Sequence, residues 1–254
     1  MIDSHCHIDL YPHPTEVADR ANRDGVLTVM VTNLPSAFER AYPHIQNFKH
    51  MRLALGLHPL SAAQHPAEKE RFAELVDKTS FIGEIGLDFS RAGYHSRELQ
   101  IDSLKFVLAA LDGKPKFITL HSRRAESTVL RLLQEARRSP VVFHWYSGSL
   151  KTLDLALSSG HYFSINPAMI TSPNGQKIIA HLPPNRVLTE TDAPFVKVGT
   201  RVSEPRDVEL VENYLASLWG VSRLEVTRSV RENFMAIIKP VKVVRSQNGS
   251  NRDR

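Results

Sequence analysis

The sequence is short of several things, and each shortage excludes a class of protein. It holds one cysteine, Cys6, in 254 residues, so neither an internal disulfide nor a thiolate-rich zinc cage can form within the chain. No apolar run approaches the roughly 20 residues a helical membrane span needs. The opening Met1-Ile-Asp-Ser-His-Cys-His7 also lacks the charged-then-apolar layout of a secretory leader. The expectation is a soluble, cytoplasmic protein that does not engage a membrane. There is no Gly-x-x-x-x-Gly-Lys-Ser/Thr phosphate loop and no helix-turn-helix signature, which leaves nucleotide-driven work and sequence-specific duplex reading without support.

What is present points elsewhere. With 42% hydrophobic and 23% charged residues, the chain has the apolar material for one substantial domain. Its 32 Lys+Arg against 27 Asp+Glu give a net charge of +5, a mild basicity that permits a polyanionic partner without requiring one. Twelve histidines are the odd entry in the composition.

Short runs rich in Val, Ile, Phe and Thr recur along the chain at 1–8, 26–32, 52–57, 80–87, 117–121, 141–145, 162–166 and 186–191. Each reads as a buried parallel strand. The spacing between them leaves room for one crossover helix apiece. Helical periodicity is plain over 98–111, 127–138 and 205–219, and Ser222-Arg-Leu-Glu225 has the spacing of a capping box opening a last helix that Pro240 stops. Eight βα units in about 240 residues predict a single α/β domain, a (β/α)8 TIM barrel over residues 1–239. Residues 240–254 are expected to be a disordered tail.

The histidines and carboxylates fall in a pattern on these strands. His5 and His7 share one strand with a single residue between them, so both imidazoles face one side and Cys6 faces the other as a small buried hydrophobe. His58 closes the third strand, Glu84 lies in the fourth, His121 and His144 end the fifth and sixth, and Asp192 ends the eighth. All of these sit at or near C-terminal strand ends, where the active sites of this barrel gather. A lone histidine is more often a satisfied core residue, which is the expectation for His13, His44, His50, His65, His95, His161 and His181. The convergence of the others, with no thiolate among them, describes a site for Zn²⁺, Mn²⁺ or Mg²⁺ of metal-dependent hydrolase type.

Several motifs occur in order: Asp-Ser-His-Cys-His-Ile-Asp9, Gly-Leu-His-Pro59, Gly-Glu-Ile-Gly-Leu-Asp88, His-Ser-Arg123, Phe-His-Trp-Tyr-Ser-Gly148, Glu-Thr-Asp-Ala-Pro194 and Glu-Asn-Phe234. As a set they resemble the signatures of the TatD family of metal-dependent deoxyribonucleases, within the amidohydrolase superfamily. The second half more specifically resembles the TatD-like component of the Qat anti-phage defence system. The resemblance implies hydrolysis of DNA phosphodiesters, as a 3′ to 5′ exonuclease on single-stranded or frayed DNA, and other defence-system proteins as partners. It implies two divalent ions, one held by His5, His7 and Asp192, the other by His121 and His144, with Glu84 between them. Asp192 would also be the general base, and Glu190 could orient a water or a ligand.

His58 is expected to orient a ligand or touch phosphate. Arg123 and Arg201, with Arg124 and Lys197 behind them, are the candidate phosphate contacts, and Phe89, Tyr94, Trp145 and Tyr146 the candidate stacking surfaces. Trp145-Tyr146 stands where the family commonly has Cys-Phe, and Arg124 where it tends to have an acidic residue. These departures touch substrate contacts rather than metal ligands. Two rivals are compatible with the same residues: another hydrolase on this site, such as an aminoacyl-tRNA deacylase, and a complex-assembly protein with weak catalysis.

Overall fold

The computed structural model describes residues 1–241. The eight expected strands are all present: β1 (Ile2–Cys6), β2 (Leu27–Met30), β3 (Met51–Leu55), β4 (Phe81–Gly86), β5 (Phe117–His121), β6 (Val142–His144), β7 (Tyr162–Ile165) and β8 (Val187–Thr189). They pair in parallel, in sequence order, as one eight-stranded sheet. Most are shorter than their apolar runs, because the last residues of each run leave the ladder and form the rim where the functional side chains lie. Helices fill the intervals and surround the sheet.

The barrel is closed between β8 and β1 by bonds made beyond the regular ladder. Asp192 N–H donates to His5 C=O at 3.0 Å and His7 N–H to Ala193 C=O at 2.8 Å. Lower in the seam, the buried Asp3 carboxylate accepts from Thr191 N–H at 3.0 Å, Thr191 hydroxyl at 2.6 Å and His5 N–H at 3.2 Å. A side chain thus completes the edge that an unpaired strand would leave open.

The opposite mouth is plugged by the last helix, Arg223–Ile238. Its Phe234 ring packs on Phe117 at 5.2 Å and Phe81 at 6.5 Å, while Asn233 donates to Pro184 C=O and Val187 C=O, both at 2.8 Å. Fully burying a phenylalanine contributes about 2–3 kcal/mol of transfer free energy, so this cluster anchors the helix that seals the floor. The helix opens with the capping box its sequence predicts, Ser222 and Glu225 satisfying each other's backbone N–H.

Three boundaries differ from expectation. The run at 127–138 gives Glu126–Glu135, because the chain reverses through Arg137 at φ 49°. The run at 205–219 is α-helical only over Val208–Trp219, its first residues forming a 3-10 turn with a capping box between Glu204 and Asp207. A hairpin of β9 (Lys197–Val198) and β10 (Arg201–Val202) turns at Gly199, and two-residue strands carry no periodicity to read. The expected tail lies outside the described residues from 242 onward, while Val241 is buried. Among the described residues no helix is long and apolar enough to cross a membrane.

Candidate metal centre

Glu84 is the hub of the site. Register with β5 slips between Ile82 and Ile85, and within this bulge the Glu84 carboxylate turns to the barrel axis. Its Oε2 lies 3.4 Å from His5 Nε2, 3.0 Å from His7 Nε2 and 3.2 Å from His58 Nε2. Its Oε1 lies 2.7 Å from His121 Nδ1 and 3.1 Å from His144 Nε2. Asp192 Oδ1 approaches both His5 Nε2 and His7 Nε2 at 3.8 Å. The structure therefore brings together all six residues expected to hold metal, and His58 with them.

The backbone is shaped to allow this. Gly86, at φ 134°, passes so close to β5 that a Cβ there would sit 2.0 Å from His121 C=O. Asp192, itself a site residue, and Trp145, directly after His144, adopt positive φ values of 49° and 38°. Non-glycine residues pay for that conformation, and it concentrates at functional sites.

Partners on the outer nitrogens orient the imidazoles. His121 Nε2 is 2.9 Å from Asp88 Oδ2, and His144 Nδ1 is 3.4 Å from Glu190 Oε1. Asp88 takes the His121 Nε2–H, while His144 Nδ1 faces Glu190 without a directed hydrogen bond. The inner nitrogens, His121 Nδ1 and His144 Nε2, face each other across 3.4 Å, and against the effect of burial the surrounding carboxylates Asp88, Glu84 and Glu190 raise both imidazoles above the usual histidine range, so positive charge sits where a cation would. His5 Nδ1 is likewise engaged by Thr119 Oγ1 at 2.8 Å. His58 is different: its Nδ1 accepts Leu60 N–H at 3.1 Å, which leaves the proton of the neutral ring on Nε2. His58 thus turns a donor toward Glu84 Oε2, 3.2 Å away.

The donor set fits divalent cations. His5 Nε2 and His7 Nε2 are buried and make no directed hydrogen bond, and three groups have possible ligand atoms close enough to share an ion: His5, His144 and Asp192; His5, His7 and Glu84; and His58, Glu84 and His121. Converging lone pairs and carboxylate oxygens in a buried site repel one another unless positive charge lies among them. The electrostatics agree. Burial would raise Glu84, but the surrounding His58, His144 and His121 hold it well below the usual carboxylate range. Burial pushes Asp192 up to about 7, against the pull of His144 and His7. Asp88 is brought down to about 2, since the bonds from His121 and Ser90 outweigh its burial.

The centre floors a cavity of about 480 Å³ whose rim carries Leu60, Ser122, Arg123, Trp145, Ser147 and Phe195. Of the expected substrate contacts, His58, Arg123 and Trp145 line it and the others do not. Arg201 is drawn away on the β9–β10 hairpin, where its guanidinium grips both oxygens of Asp207 at 2.7 and 2.5 Å. Tyr146 is buried, its hydroxyl donating to Ser149 C=O at 2.8 Å, and Tyr94 is covered by the Arg97 guanidinium at 4.6 Å. Arg124, Lys197 and Phe89 do not line the cavity. Glu190 is fully buried behind His144, held by Ser164, by Asn166 Nδ2 at 3.0 Å and by Trp145 N–H at 3.0 Å. It is placed to orient a ligand rather than a water.

Among the remaining histidines, His161 and His65 are buried as expected, His161 accepting Val141 N–H and His65 contacting His58 C=O at 2.9 Å. His13, His44, His95 and His181 are instead exposed, and His50 is half-buried. Sequence reasoning assigned no role to Asp88, Thr119 or Phe195. Asp88 was visible in its motif, four residues after Glu84, the spacing that returns it to the strand's end. Thr119 could have been found by the period of two from His121.

The sequence matches the family model described as TatD related DNase over residues 2–239. Among individual relatives, human Deoxyribonuclease TATDN3 is 26% identical over 259 residues, covering 93% of this chain and 94% of its own. The uncharacterized metal-dependent hydrolase YjjV of Escherichia coli K12 is 29% identical over 238 residues, covering 88% and 90%. The crystal structure of that TatD homolog superposes with a TM-score of 0.83 at 26% identity, covering 93% of this chain and 97% of the other. With a match over nearly the whole described length, on a barrel of the same shape and a centre of histidines and carboxylates, the chain belongs to the TatD-related DNase family of metal-dependent hydrolases.

Proposed function

We propose that this protein hydrolyses phosphodiester bonds of DNA at single-stranded or frayed ends, in the 3′ to 5′ direction, with two divalent ions. The observation that carries the reading is the Glu84 carboxylate, one oxygen turned to His5 and His7 and the other to His121 and His144. Such an arrangement suits one ion on each side, His5, His7 and Asp192 holding the first and His121 and His144 the second. Ions bound there supply Lewis-acid polarisation of a phosphate oxygen and an acidified water.

The chain's own residues account for the rest. Asp192, buried beside His5 and His7, would be ionised beside a bound ion and within reach of its water, where a carboxylate can accept a proton. His58 Nε2–H points into the same space and donates to an anionic oxygen. Arg123, exposed on the rim just past His121, meets a phosphate of the entering strand without reading its sequence. Asp88 and Glu190 face the outer nitrogens of His121 and His144 and orient the two rings. The biological setting we propose, from the sequence resemblance, is anti-phage defence alongside partner proteins.

The test is incubation of 3′- and 5′-labelled single- and double-stranded DNA with Mg²⁺, Mn²⁺ or Zn²⁺, together with elemental analysis of the purified protein. Stepwise loss of nucleotides from the 3′ end and about two ions per chain are expected. Internal cuts, or saturation at one ion, would replace the directional or the two-ion part of the proposal.

A further inference from the structure

We infer that Trp145 and Phe195 form an aromatic clamp that selects unpaired nucleotides for the centre, with Leu60 completing the rim. The inference rests on the nuclease reading and assigns its strand selectivity to particular side chains. All three residues line the catalytic cavity and all are exposed, Phe195 at 59%, Leu60 at 48% and Trp145 at 37%. Of the large apolar side chains that the fold leaves exposed, these three border the cavity that the histidines and carboxylates floor.

Their placement is fixed by the groups that build the centre. Phe195 N–H donates to Asp192 C=O at 3.0 Å, and the ring stands edge-on to His7 with centroids 5.2 Å apart. Trp145 follows His144 directly, at a strained φ of 38°, and its N–H is held at 3.0 Å by the same Glu190 oxygen that faces His144 Nδ1. The Phe195 ring is held against His7, and the Trp145 backbone is held by Glu190 beside His144. Both residues are presented at set positions relative to the site where a phosphate is cut.

Bases stack on such rings only if a face is free. In a duplex both faces of an interior base are covered by its neighbours, whereas an unpaired nucleotide offers a face and gains by covering the ring. Arg123 attracts the backbone of either form, because phosphate contacts are blind to pairing. Charge on this rim thus draws DNA in, and the aromatic pair makes the choice.

The test uses the full chain with Trp219→Phe, so that Trp145 is the single tryptophan of the two in the sequence. Binding of a single-stranded oligonucleotide to chelator-treated protein is followed by anisotropy of a labelled DNA and by Trp145 fluorescence. The clamp predicts quenching of Trp145 by single-stranded DNA and little by a blunt duplex. Phe195→Ala and Trp145→Ala should each weaken single-strand binding by roughly tenfold to a hundredfold, with duplex binding and metal content retained, and Phe195→Tyr should restore it. In turnover the loss should fall on KM rather than kcat. Unchanged Trp145 fluorescence with DNA bound, or equal losses on single-stranded and duplex DNA, would overturn the clamp while leaving the nuclease reading standing. Failure of the unaltered protein to bind or cut any DNA would overturn both.

Discussion

Asp88 Oδ2 lies 2.9 Å from His121 Nε2, while Glu84, four residues earlier in the same segment, meets the other nitrogen of that ring at 2.7 Å. β4 and the residues just past its end thus hold both sides of an imidazole contributed by β5. Removing the outer carboxylate should free the ring to rotate and to choose the wrong tautomer. Asp88→Ala is expected to weaken metal binding by about 10- to 100-fold, read by competition with a chromophoric chelator. Glu190→Ala should act in the same way through His144, and its loss of activity should be recovered in part by added metal. If Glu190→Ala kept full metal affinity and lost only turnover, its role would lie with water rather than with the ligand.

A pH dependence follows from Asp192. Its carboxyl is pushed up to about 7 by burial, above an ordinary value near 3.9, so the metal-free protein carries a proton there at pH 6. Metal needs the ionised form, and binding at pH 6 should release that proton and tighten as pH rises through 7. Calorimetry in buffers of different ionisation enthalpy reads the proton directly. The sign for stability is the reverse of a salt-bridged aspartate: unfolding favours ionisation between about 4 and 7, so the metal-free fold loses stability over that range as pH rises. Asp192→Asn should therefore be more stable than the unaltered chain at pH 8 without metal, by a few kcal/mol in denaturant unfolding.

His161 contributes to acid sensitivity. It is 1% exposed, accepts Val141 N–H, and burial with the nearby Arg186 lowers it to about 4. Its unfolded form takes a proton near pH 6.5 while the folded form resists until about 4. Stability is thus full above 6.5 and falls as pH drops through this window, by roughly 3 kcal/mol at the end. His161→Asn, which can keep an acceptor for Val141, should flatten that slope.

Much of this was legible in the sequence, for reasons that particular residues make clear. Most of the eight strands are buried on both faces and appear as short runs dominated by apolar and β-branched residues, while β1, Ile-Asp-Ser-His-Cys, stands out by its buried polar groups. His5, His7, Glu84, His121, His144 and Asp192 lie at strand ends, where position along the chain fixes position in the barrel. Arg201 was misplaced because its bidentate partner, Asp207, lies six residues on in a turn with no periodic signal. Tyr146 was misplaced because residues just past a strand end can turn either way, and here the Trp145 backbone turns outward while Tyr146 turns in. Phe195 was missed because nothing in Ala-Pro-Phe says that the ring is left uncovered.

Gly86 tests the local geometry. A Cβ there meets backbone at 2.0 Å, where nothing flexible can yield. Gly86→Ala should destabilise the fold by several kcal/mol and, in any folded fraction, displace His121 and weaken metal binding. A variant with native melting temperature and native metal affinity would show that β4 and β5 are not locked together at this point.

The central claim is that this centre hydrolyses DNA with metal held by these residues, and end-labelled single-stranded DNA measures it most directly. The chain should degrade it with added Mg²⁺, Mn²⁺ or Zn²⁺, lose activity on exhaustive chelation, regain it when metal is returned, and lose at least about 10²-fold with Asp192→Asn while the barrel still folds. Full activity in the Asp192→Asn protein, or undiminished activity after chelation, would contradict the account.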